Sequence, residues 1–393
     1  MTTMTLRDHL PTEVTTALDR TTRSVLVDTT QLTAARNRYP DHQADALTRY
    51  LTNAQATNTV RAYRTDWHTW VTWCDTHGHT ALPANPLDIA VYLATMADQT
   101  TTTGWRYTPA TLHRKAAAIA AIHTAAGLPS PTRTDIIRLT LRGIRRARNT
   151  QPHRKRPILL HTLTDMLAQR PDDTWPTGTT RRRDTLLLLI GFAGALRRTE
   201  LAAITTNDVH THTDHRTGEP LLTINLNTTK TDPTGTAEHH IALPRGAQPD
   251  TCPICAHANW IDILAAKPNG TIRDILNQPH PTDIHRCHNH TPPTIPNQPL
   301  FPAINRHGHI ADTPISGRAV AELVKRYAHR AGHNPTDFAG HSLRAGFATQ
   351  AALGGASDRE IMRQGRWTNP TTVHRYIRTA NPLDDNAVTK LGL

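Results

Sequence analysis

The spacing of apolar residues divides the chain into a helical first part and a mixed second part. From Asp41 to about Asn149, apolar residues recur at three- and four-residue steps, as in amphipathic helices. In the first of these segments the apolar positions are Val60, Tyr63, Trp67, Trp70, Val71 and Cys74. Similar segments follow at residues 86–97, 108–126 and 132–148, separated by loops with Pro and Gly. The pattern predicts a small bundle of four helices.

The second part combines helical and strand patterns. The run LLLLIGFAGAL predicts a buried helix, preceded by a short helix over residues 160–169. Alternating apolar and polar residues at 222–226 and 240–243 predict two strands of a hairpin, with Pro233 and Gly235 in the turn. Helices return at 313–331 and after His341, whereas residues 244–300 have no clear pattern. The chain is therefore expected to be mainly α, with a small antiparallel sheet in its second domain.

These patterns predict four consecutive regions. Residues 1–40 are polar and rich in Thr, and we interpret them as a flexible arm with room for one helix over 31–38. Residues 41–149 form the helical bundle, and residues 158–393 form the second domain. Residues 150–157, which are basic and contain proline, are interpreted as the linker between the two domains.

The charge of the chain favours a polyanionic partner. The formal net charge is +12 and the isoelectric point is about 10.1, which points first to nucleic acid and second to an anionic membrane surface. No apolar run is long enough to span a bilayer, the start lacks a secretory signal, and four cysteines are too few for a disulfide scaffold. We therefore expect a cytoplasmic protein with no membrane partner, associated with the nucleoid when it binds DNA.

Basic residues cluster on the predicted helix faces of the bundle and in the linker. Acidic residues four positions away are few, so DNA contact is a better explanation for the set than intrahelical ion pairs. For any single residue the alternative is a solvated polar face. The predicted DNA-binding residues are Arg61, Arg64, Arg114, Lys115, Arg138, Arg142, Arg145, Arg154 and Lys155.

The second domain contains residue types suited to reaction at a phosphodiester. The planar guanidinium groups of Arg197 and Arg344 can clamp the negative oxygens of a five-coordinate phosphorus. A phenol loses its proton more readily than an alkanol, which makes Tyr376 a candidate nucleophile. His341 can act as a base or a hydrogen-bond donor, and Lys230, between the hairpin strands, can protonate the leaving oxygen. Trp367 can donate its indole N–H.

These residues occur in an order that resembles the tyrosine recombinase (phage integrase) family. Arg197 begins R-x-x-E-L, Lys230 follows between two strands, and His341 and Arg344 form H-x-x-R. Trp367 then lies nine residues before Tyr376. The resemblance covers roughly residues 41–393.

The resemblance has specific implications for fold and activity. It implies a SAM-like core-binding bundle followed by an α+β catalytic domain of the DNA breaking-rejoining type. It also implies a site-specific recombinase that cleaves double-stranded DNA at a specific recombination site through a 3′-phosphotyrosyl link, within a homotetramer on synapsed DNA. No ATP, metal ion or other cofactor is implied, and no G-x-x-x-x-G-K-[ST] stretch is present in the sequence.

Two alternative functions remain open at this point. A type IB topoisomerase-like enzyme or a telomere resolvase uses the same residue types, and a DNA-binding protein of recombinase ancestry can have lost its chemistry. Individual residues also have structural explanations. Arg197 can pair with Glu200, Lys230 can be solvated, and His341 can cap a helix. Trp367 is expected to pack as well as to contact phosphate.

Cysteine and histidine spacing adds a candidate zinc site. Cys252-x-x-Cys255 and Cys287-x-x-His290 supply four ligand types that Zn²⁺ accepts in a tetrahedron, although His257 and His288 compete as ligands. The local sequence is rich in His, so the favoured interpretation is free thiols, and we expect no bound metal.

Overall fold

The computed structural model describes residues 29–53, 57–102, 104–148, 154–169, 172–226, 239–278, 284–377, 388 and 391. The chain divides into two compact units, Met1–Pro152 and His153–Leu393. Most of the predicted arm lies outside the described residues, and the helix expected over 31–38 is present as α1, Thr29–Arg38. Assignment of the units to DNA binding and catalysis stays a proposal.

The described part of unit 1 is helical apart from one short hairpin. Its further elements are α2 Asp41–Asn53, α3 Thr57–His77, α4 Pro86–Asp98, β1 Thr100–Thr101, β2 Gly104–Trp105, α5 Pro109–Ala125 and α6 Asp135–Arg148. The helices α3 to α6 correspond to the four predicted ones. Two of them, α4 and α5, begin where the sequence supplies caps, since the Asn85 side chain accepts the Leu87 N–H and Thr108 accepts the Thr111 N–H.

Unit 1 has an aromatic core at the crossing of α3 and α4. Trp67, Trp70 and Tyr92 are fully buried, and the Trp70 ring meets the Tyr92 ring edge-on at 5.1 Å between centroids. Trp70 donates its indole N–H to the carbonyl of Ala81. The large apolar positions read from the sequence therefore form the interior of the bundle.

Unit 2 combines nine described helices with two small sheets. Its elements are α7 Leu160–Ala168, α8 Thr177–Ala193, α9 Arg198–Ala203, β3 Val209–Thr213, β4 Pro220–Leu226, β5 His239–Pro244, α10 Pro253–Ala266, α11 Ile272–Asn277, β6 Pro302–Ile304, β7 Ile310–Pro314, α12 Gly317–Arg330, α13 Ser342–Leu353, α14 Asp358–Gly365 and α15 Pro370–Tyr376. The apolar helix α8 lies in the main core, with Leu186, Leu187, Leu188 and Ile190 fully buried.

The predicted hairpin is confirmed and forms part of a three-stranded antiparallel sheet, in the order β3-β4-β5. Ile224 on β4 pairs with Ile241 on β5. The connection between these strands, residues 227–238, lies outside the described residues, and Lys230, Pro233 and Gly235 belong to it. The strand β3 and the hairpin β6-β7 were not predicted.

A close backbone contact fixes the start of unit 2 against α13. The Ile158 N–H donates to the carbonyl of Ser342 at 3.0 Å. A Cβ on Gly346 would lie 1.8 Å from the carbonyl oxygen of Ile158, so only glycine permits this approach. The segment that follows the predicted linker is therefore attached to the helix that carries Arg344.

The expected fold class is confirmed: the protein is mainly α with small antiparallel sheets. Among the helices of the described residues, none has the length and apolar composition needed to cross a membrane.

Candidate active site

A tight turn between α8 and α9 contains the carbonyls of Gly194 and Ala195 and leads directly into Arg197. Ala195 in this turn has φ of 48°, a left-handed conformation that L side chains seldom adopt. Arg197 is the N-cap residue of α9, and its N–H donates to Glu200 Oε2 at 2.9 Å. The R-x-x-E-L spacing thus has a local structural reason, since a residue three positions after the N-cap can return a carboxylate to it.

The carboxylate of Glu200 joins two arginines from distant parts of the chain. Arg197 Nη1 lies 2.5 Å from Glu200 Oε1, and Arg366 Nη2 lies 3.2 Å from Glu200 Oε2. The Glu200 side chain is only 4% exposed. Burial alone would raise the pKa of Glu200, but the Arg197 N–H and the Arg366 and Arg197 guanidinium groups outweigh burial and hold this pKa below its usual value.

Arg344 is buried at the centre of the same group. It lies on α13, where Arg344 Nη1 donates to the carbonyl of Ala195 at 2.5 Å. Its guanidinium carbon is 4.0 Å from the centre of the Trp367 ring, a close cation–π contact. Arg344 Nη2 is buried and has no hydrogen-bond partner among the described residues. A buried donor without a partner is costly, and an anionic ligand would satisfy it.

The site holds more positive than negative charge. Arg197, Arg344 and Arg366 contribute three guanidinium groups against the single carboxylate of Glu200, which leaves 3 − 1 = +2. Burial lowers the pKa of Arg344, and the charges of Arg197 and Arg366 lower it further, whereas Glu200 and Tyr376 act in the opposite direction. The arrangement is therefore electrostatically suited to an anion.

Tyr376 is positioned at the end of α15, beside Trp367. The helix starts where the Asn369 side chain accepts the Thr371 N–H, and Thr349 Oγ1 on α13 donates to the carbonyl of Tyr376 at 3.0 Å. The Tyr376 and Trp367 rings lie 5.3 Å apart between centroids. The structure thus brings Arg197, Arg344, Trp367 and Tyr376 together from four separate parts of the sequence.

Trp367 combines packing with its place over Arg344. It is 7% exposed and belongs to a small apolar cluster with Ala348, Ile361 and Val373. A Cβ on Gly365 would lie 1.8 Å from Trp367 Cζ3, so glycine at position 365 makes room for the indole. Trp367 therefore packs in the core of this region as expected, and its contact with phosphate stays a prediction.

Of the two remaining predicted catalytic residues, His341 lies within the described residues and Lys230 lies outside them. His341 is the exposed residue before α13, three positions ahead of Arg344, and thus lies one turn from it on the same helix face. Lys230 lies outside the described residues, in the connection between β4 and β5. Its predicted role as a general acid stays a prediction.

The sequence interpretation missed Arg366. This residue ends α14 in a left-handed conformation with φ of 56°, and its side chain is 6% exposed. Arg366 Nη1 donates to the carbonyl of Gly194, and its Nη2 binds Glu200. No motif marks Arg366 in the sequence; its only signal is its position next to Trp367. It touches Glu200 and the α8–α9 turn, which makes it a positioning residue.

The predicted DNA-binding residues of unit 1 follow three helices that are linked by side-chain contacts. Arg114 on α5 contacts Asp66 on α3 at 3.3 Å, and its neighbour His113 contacts Arg145 on α6 at 2.7 Å. Arg142 is exposed on the same helix as Arg145. Arg61 and Arg138 are exposed and Arg64 is half-buried, while Arg138 pairs with Asp135 at 2.7 Å. DNA contact by these residues stays a prediction.

Lys115 requires a correction. Its side chain is 2% exposed, its ammonium group lies 3.5 Å from Asp66 Oδ1, and it lies 4.9 Å from the centre of the Tyr107 ring. Burial lowers the pKa of Lys115 and raises that of Asp66. The helical spacing placed Lys115 beside Arg114, but the adjacent position on α5 faces the core. We therefore withdraw Lys115 from the DNA-binding set.

Arg154 and Lys155 are exposed and hydrogen-bond within unit 2. Arg154 Nη1 donates to the carbonyl of Arg375 at 2.8 Å, and Lys155 Nζ donates to the carbonyl of Thr336 at 2.6 Å. The first bond attaches the residue to the backbone next to Tyr376. Their predicted contact with phosphate stays a prediction.

The candidate zinc ligands also require a correction. The ligand atoms of Cys252, Cys255, Cys287 and His285 all lie within 4.8 Å of one another. His290 is not in this group, because its Nε2 contacts Asp262 Oδ1 at 2.9 Å. The group therefore contains the three cysteines of the sequence pattern, with His285 in place of His290. Contacts from the Cys255 thiol and nearby backbone N–H groups hold the pKa of the Cys252 thiol below its usual value.

Comparison with known proteins identifies the family to which the chain belongs. Residues 295–381, which include His341, Arg344, Trp367 and Tyr376, match the model of the phage integrase family. The chain is 34% identical over 346 residues to the integrase/recombinase xerD homolog of Selenomonas ruminantium, covering 87% of this chain and 88% of that protein. It is 25% identical over 319 residues to recombinase cre of Escherichia phage P1, covering 79% and 80%.

Among solved structures, the XerH site-specific recombinase bound to palindromic difH substrate is similar with a TM-score of 0.47 and 13% identity, over 97% of this chain and 92% of that one. XerA recombinase is similar with a TM-score of 0.37 and 15% identity, over 88% and 96%. By its sequence relatives, this chain belongs to the phage integrase family, the tyrosine-type site-specific recombinases. The family resemblance seen in the sequence is thereby confirmed.

Proposed function

We propose that this recombinase cleaves and rejoins double-stranded DNA at a specific site through a covalent 3′-phosphotyrosyl intermediate. The observation that carries the proposal is a group of three arginines, of which two pair with the buried carboxylate of Glu200. The third, Arg344, has its Nη2 unpartnered among the described residues, and the Tyr376 ring lies beside Trp367. Such a group has the charge and the donors that a phosphodiester in its five-coordinate state requires.

The proposed reaction exchanges one phosphate ester for another. Tyr376 Oη attacks phosphorus and loses its proton to a base, for which His341 is the candidate. The bond from phosphorus to the 5′ oxygen breaks, and Lys230 donates a proton to that oxygen. The number of phosphate ester bonds is unchanged, so the freed 5′ hydroxyl of a partner strand can reverse the step without ATP.

Arg197 and Arg344 have the roles of phosphate clamps in this proposal. Arg344 is only 1% exposed and Trp367 stacks on its guanidinium group, so a phosphate can reach Nη2 only when neighbouring side chains move. We therefore propose that DNA binding moves Trp367, together with α15 and Tyr376, relative to α13. Tyr376 and the two clamping arginines would then come together around the phosphate in the same step.

The basic residues of unit 1 and the two linker residues supply the proposed contacts to the DNA backbone. We further propose that four protomers assemble on two synapsed sites, because one Tyr376 in each protomer cleaves one strand. The relatives' names, integrase/recombinase xerD homolog and recombinase cre, are consistent with this function. The chemistry at phosphorus needs no metal ion, and we expect strand cleavage to survive brief exposure to EDTA.

A nicked suicide substrate tests the proposal. The nick lets a short fragment diffuse away after cleavage, which traps the protein on the DNA strand. DNA flanking the gene supplies candidate sites. We expect a covalent adduct with the wild-type protein and none with Tyr376→Phe, while both bind the DNA equally. Binding without any adduct would instead favour a DNA-binding protein with lost chemistry. Relaxation of supercoiled DNA without strand exchange would favour a topoisomerase-like enzyme.

A further inference from the structure

Three cysteines and one histidine of unit 2 converge at the start of α10. Cys252 is the N-cap residue of this helix and Cys255 is in its first turn. His285 and Cys287 belong to the segment that passes this end of the helix, and their ligand atoms lie within 4.8 Å of those of Cys252 and Cys255. The three cysteines are buried and none is in a disulfide.

Two sulfur–nitrogen distances are close to those of a tetrahedral metal site. His285 Nδ1 lies 3.5 Å from Cys255 Sγ and 3.8 Å from Cys287 Sγ. With Zn–S bonds of about 2.3 Å and Zn–N bonds of about 2.0 Å, a tetrahedron has S–N edges of roughly 3.5 Å and S–S edges of roughly 3.8 Å. One ion could therefore contact all four atoms with little movement of the chain.

Backbone N–H groups surround two of the three sulfur atoms. The backbone N–H groups of Cys255, Gly246 and Ile254 donate to the Cys252 sulfur, and the N–H of Cys287 donates to the Cys255 sulfur. The positive end of α10 faces the same group. Backbone donors of this kind orient and stabilise thiolate ligands around a metal ion.

We infer that Cys252, Cys255, His285 and Cys287 bind one structural Zn²⁺ ion. Four protein ligands close the coordination sphere and leave no position for a substrate, which is typical of structural rather than catalytic zinc. The site is therefore compatible with metal-independent chemistry at the phosphodiester, and the inference does not depend on the proposed function.

The ion would hold one end of the segment 285–300 against the start of α10. This segment then runs along α10 and ends beside α9. Arg286 Nη2 contacts Asp262 at 2.9 Å, and His290 contacts the same carboxylate at 2.9 Å, about two turns after Cys255 on α10. The segment then reaches Leu300, whose N–H donates to the carbonyl of Ile204, directly after α9. Since α9 carries Glu200, zinc would stabilise the support of the active site without touching it.

Metal analysis of the full-length protein tests the inference. The chain has 25 histidines, so it should be purified without a histidine tag and without added metal. We expect about one zinc per chain by mass spectrometry of the elements. After exchange for Co²⁺, the spectrum should show thiolate-to-cobalt charge transfer and the strong visible bands of a tetrahedral site. A folded protein with no zinc, or cobalt bands without thiolate charge transfer, would overturn the inference.

Variants identify the ligands. Cys287→Ser and His285→Ala are expected to lose the bound zinc, whereas the matched controls Cys74→Ser and His290→Ala are expected to keep it. Cys74 is a buried cysteine of unit 1, and His290 is the histidine that the sequence pattern suggested. Zinc lost only in His290→Ala would contradict the assigned donor set. Fewer than four titratable thiols in the unfolded wild-type protein, without reductant and with no zinc, would indicate a disulfide instead.

Discussion

At the scale of single residues, the carboxylate of Glu200 receives two arginines from different elements of the fold. Its pKa is held below the usual value, so its ionised form stabilises the folded state. This stabilisation is fully present above the unfolded pKa of about 4.3 and is lost as the pH falls through the lower folded pKa. Acid should therefore weaken the contacts of Arg197 and Arg366 together.

Glu200→Gln is expected to lower the free energy of unfolding by roughly 3 kcal/mol near pH 6.5, because it leaves two buried guanidinium groups without a counter-ion. The difference between variant and wild type should begin to shrink below about pH 4.3, where the unfolded chain binds a proton at this carboxylate, and should vanish only below the lower folded pKa. Urea denaturation across this pH range measures both effects. The control Glu322→Gln removes an exposed carboxylate and should change stability by less than about 0.5 kcal/mol. A pH-independent difference for Glu200→Gln would contradict the account.

The arginines can be tested by separating cleavage from binding. Arg197→Ala and Arg344→Ala are expected to reduce the rate of strand cleavage by about 10²-fold to 10³-fold, because each removes a clamp from the charged transition state. Affinity for the DNA site should change far less. Single-turnover cleavage and gel-shift assays measure the two quantities.

Two further variants complete that comparison. Arg198→Ala removes the exposed neighbour of Arg197 and should leave cleavage within a few fold of wild type. Arg344→Lys keeps a charge at the buried position but loses the planar fork, so cleavage should remain strongly impaired even if the fold is kept. Equal losses of binding and cleavage in Arg197→Ala and Arg344→Ala would indicate a structural role only.

The residues that could be predicted from the sequence are those with fixed spacing. Arg344 and His341 share H-x-x-R, and Trp367 has a set distance to Tyr376. Arg366 and His285 could not be predicted, because each acquires its role only through contacts made across long stretches of chain. Arg366 reaches Glu200, 166 positions away, and His285 reaches Cys255, 30 positions away.

Among the elements, α14 and α15 determine where Trp367 and Tyr376 lie. The Gly365 position allows the indole to fold back over Arg344, and a Cβ there would overlap the ring. We expect Gly365→Ala to destabilise unit 2 by roughly 1–3 kcal/mol, as overpacking does in a core. Cleavage should also fall, because Trp367 is displaced from its neighbours. Chemical denaturation and the single-turnover assay measure these effects.

Gly354→Ala supplies the matched control. This glycine ends α13 with a negative φ of −81°, and an added Cβ would make ordinary contacts of 3.4 Å or more. Its substitution should change stability by less than about 0.5 kcal/mol. If Gly365→Ala is as well tolerated as Gly354→Ala, the close packing of Trp367 is not a feature of the folded protein.

Elements with strong periodicity were predictable, and those that depend on long-range pairing were not. The helices α3 to α6 and the β4-β5 hairpin follow directly from apolar spacing. Residues 244–300 gave no pattern because Pro, His and Asn interrupt it, yet they contain α10, whose buried side chains face all around the helix. The hairpin β6-β7 is short and irregular, with a register shift between Pro302 and Ile304.

For the molecule as a whole, the excess of positive charge should appear as a salt dependence of DNA binding. The net charge is +12, and exposed arginines of unit 1 extend over α3, α5 and α6. Each phosphate contact releases counter-ions and contributes a slope of about −0.9 to the logarithm of affinity against the logarithm of salt concentration. Arg142→Ala and Arg145→Ala should each reduce this slope by about one.

Fluorescence titrations with a labelled duplex at several salt concentrations measure the slope. Arg330→Ala, which removes an exposed arginine of unit 2 stacked on Tyr327, is the control and should leave the slope unchanged. Unchanged slopes in both Arg142→Ala and Arg145→Ala would remove α6 from the proposed DNA interface, whereas the proposed chemistry of unit 2 would be unaffected.

The most direct measurement for the central proposal is the mass of the peptide that carries the trapped nucleotide. After reaction with a suicide substrate, nuclease and protease digestion should leave a single modified peptide that contains Tyr376, with the nucleotide attached through its 3′ phosphate. Fragmentation should place the added mass on the Tyr376 side chain. A stable adduct on any other residue, or through a 5′ phosphate, would contradict the mechanism proposed for this recombinase.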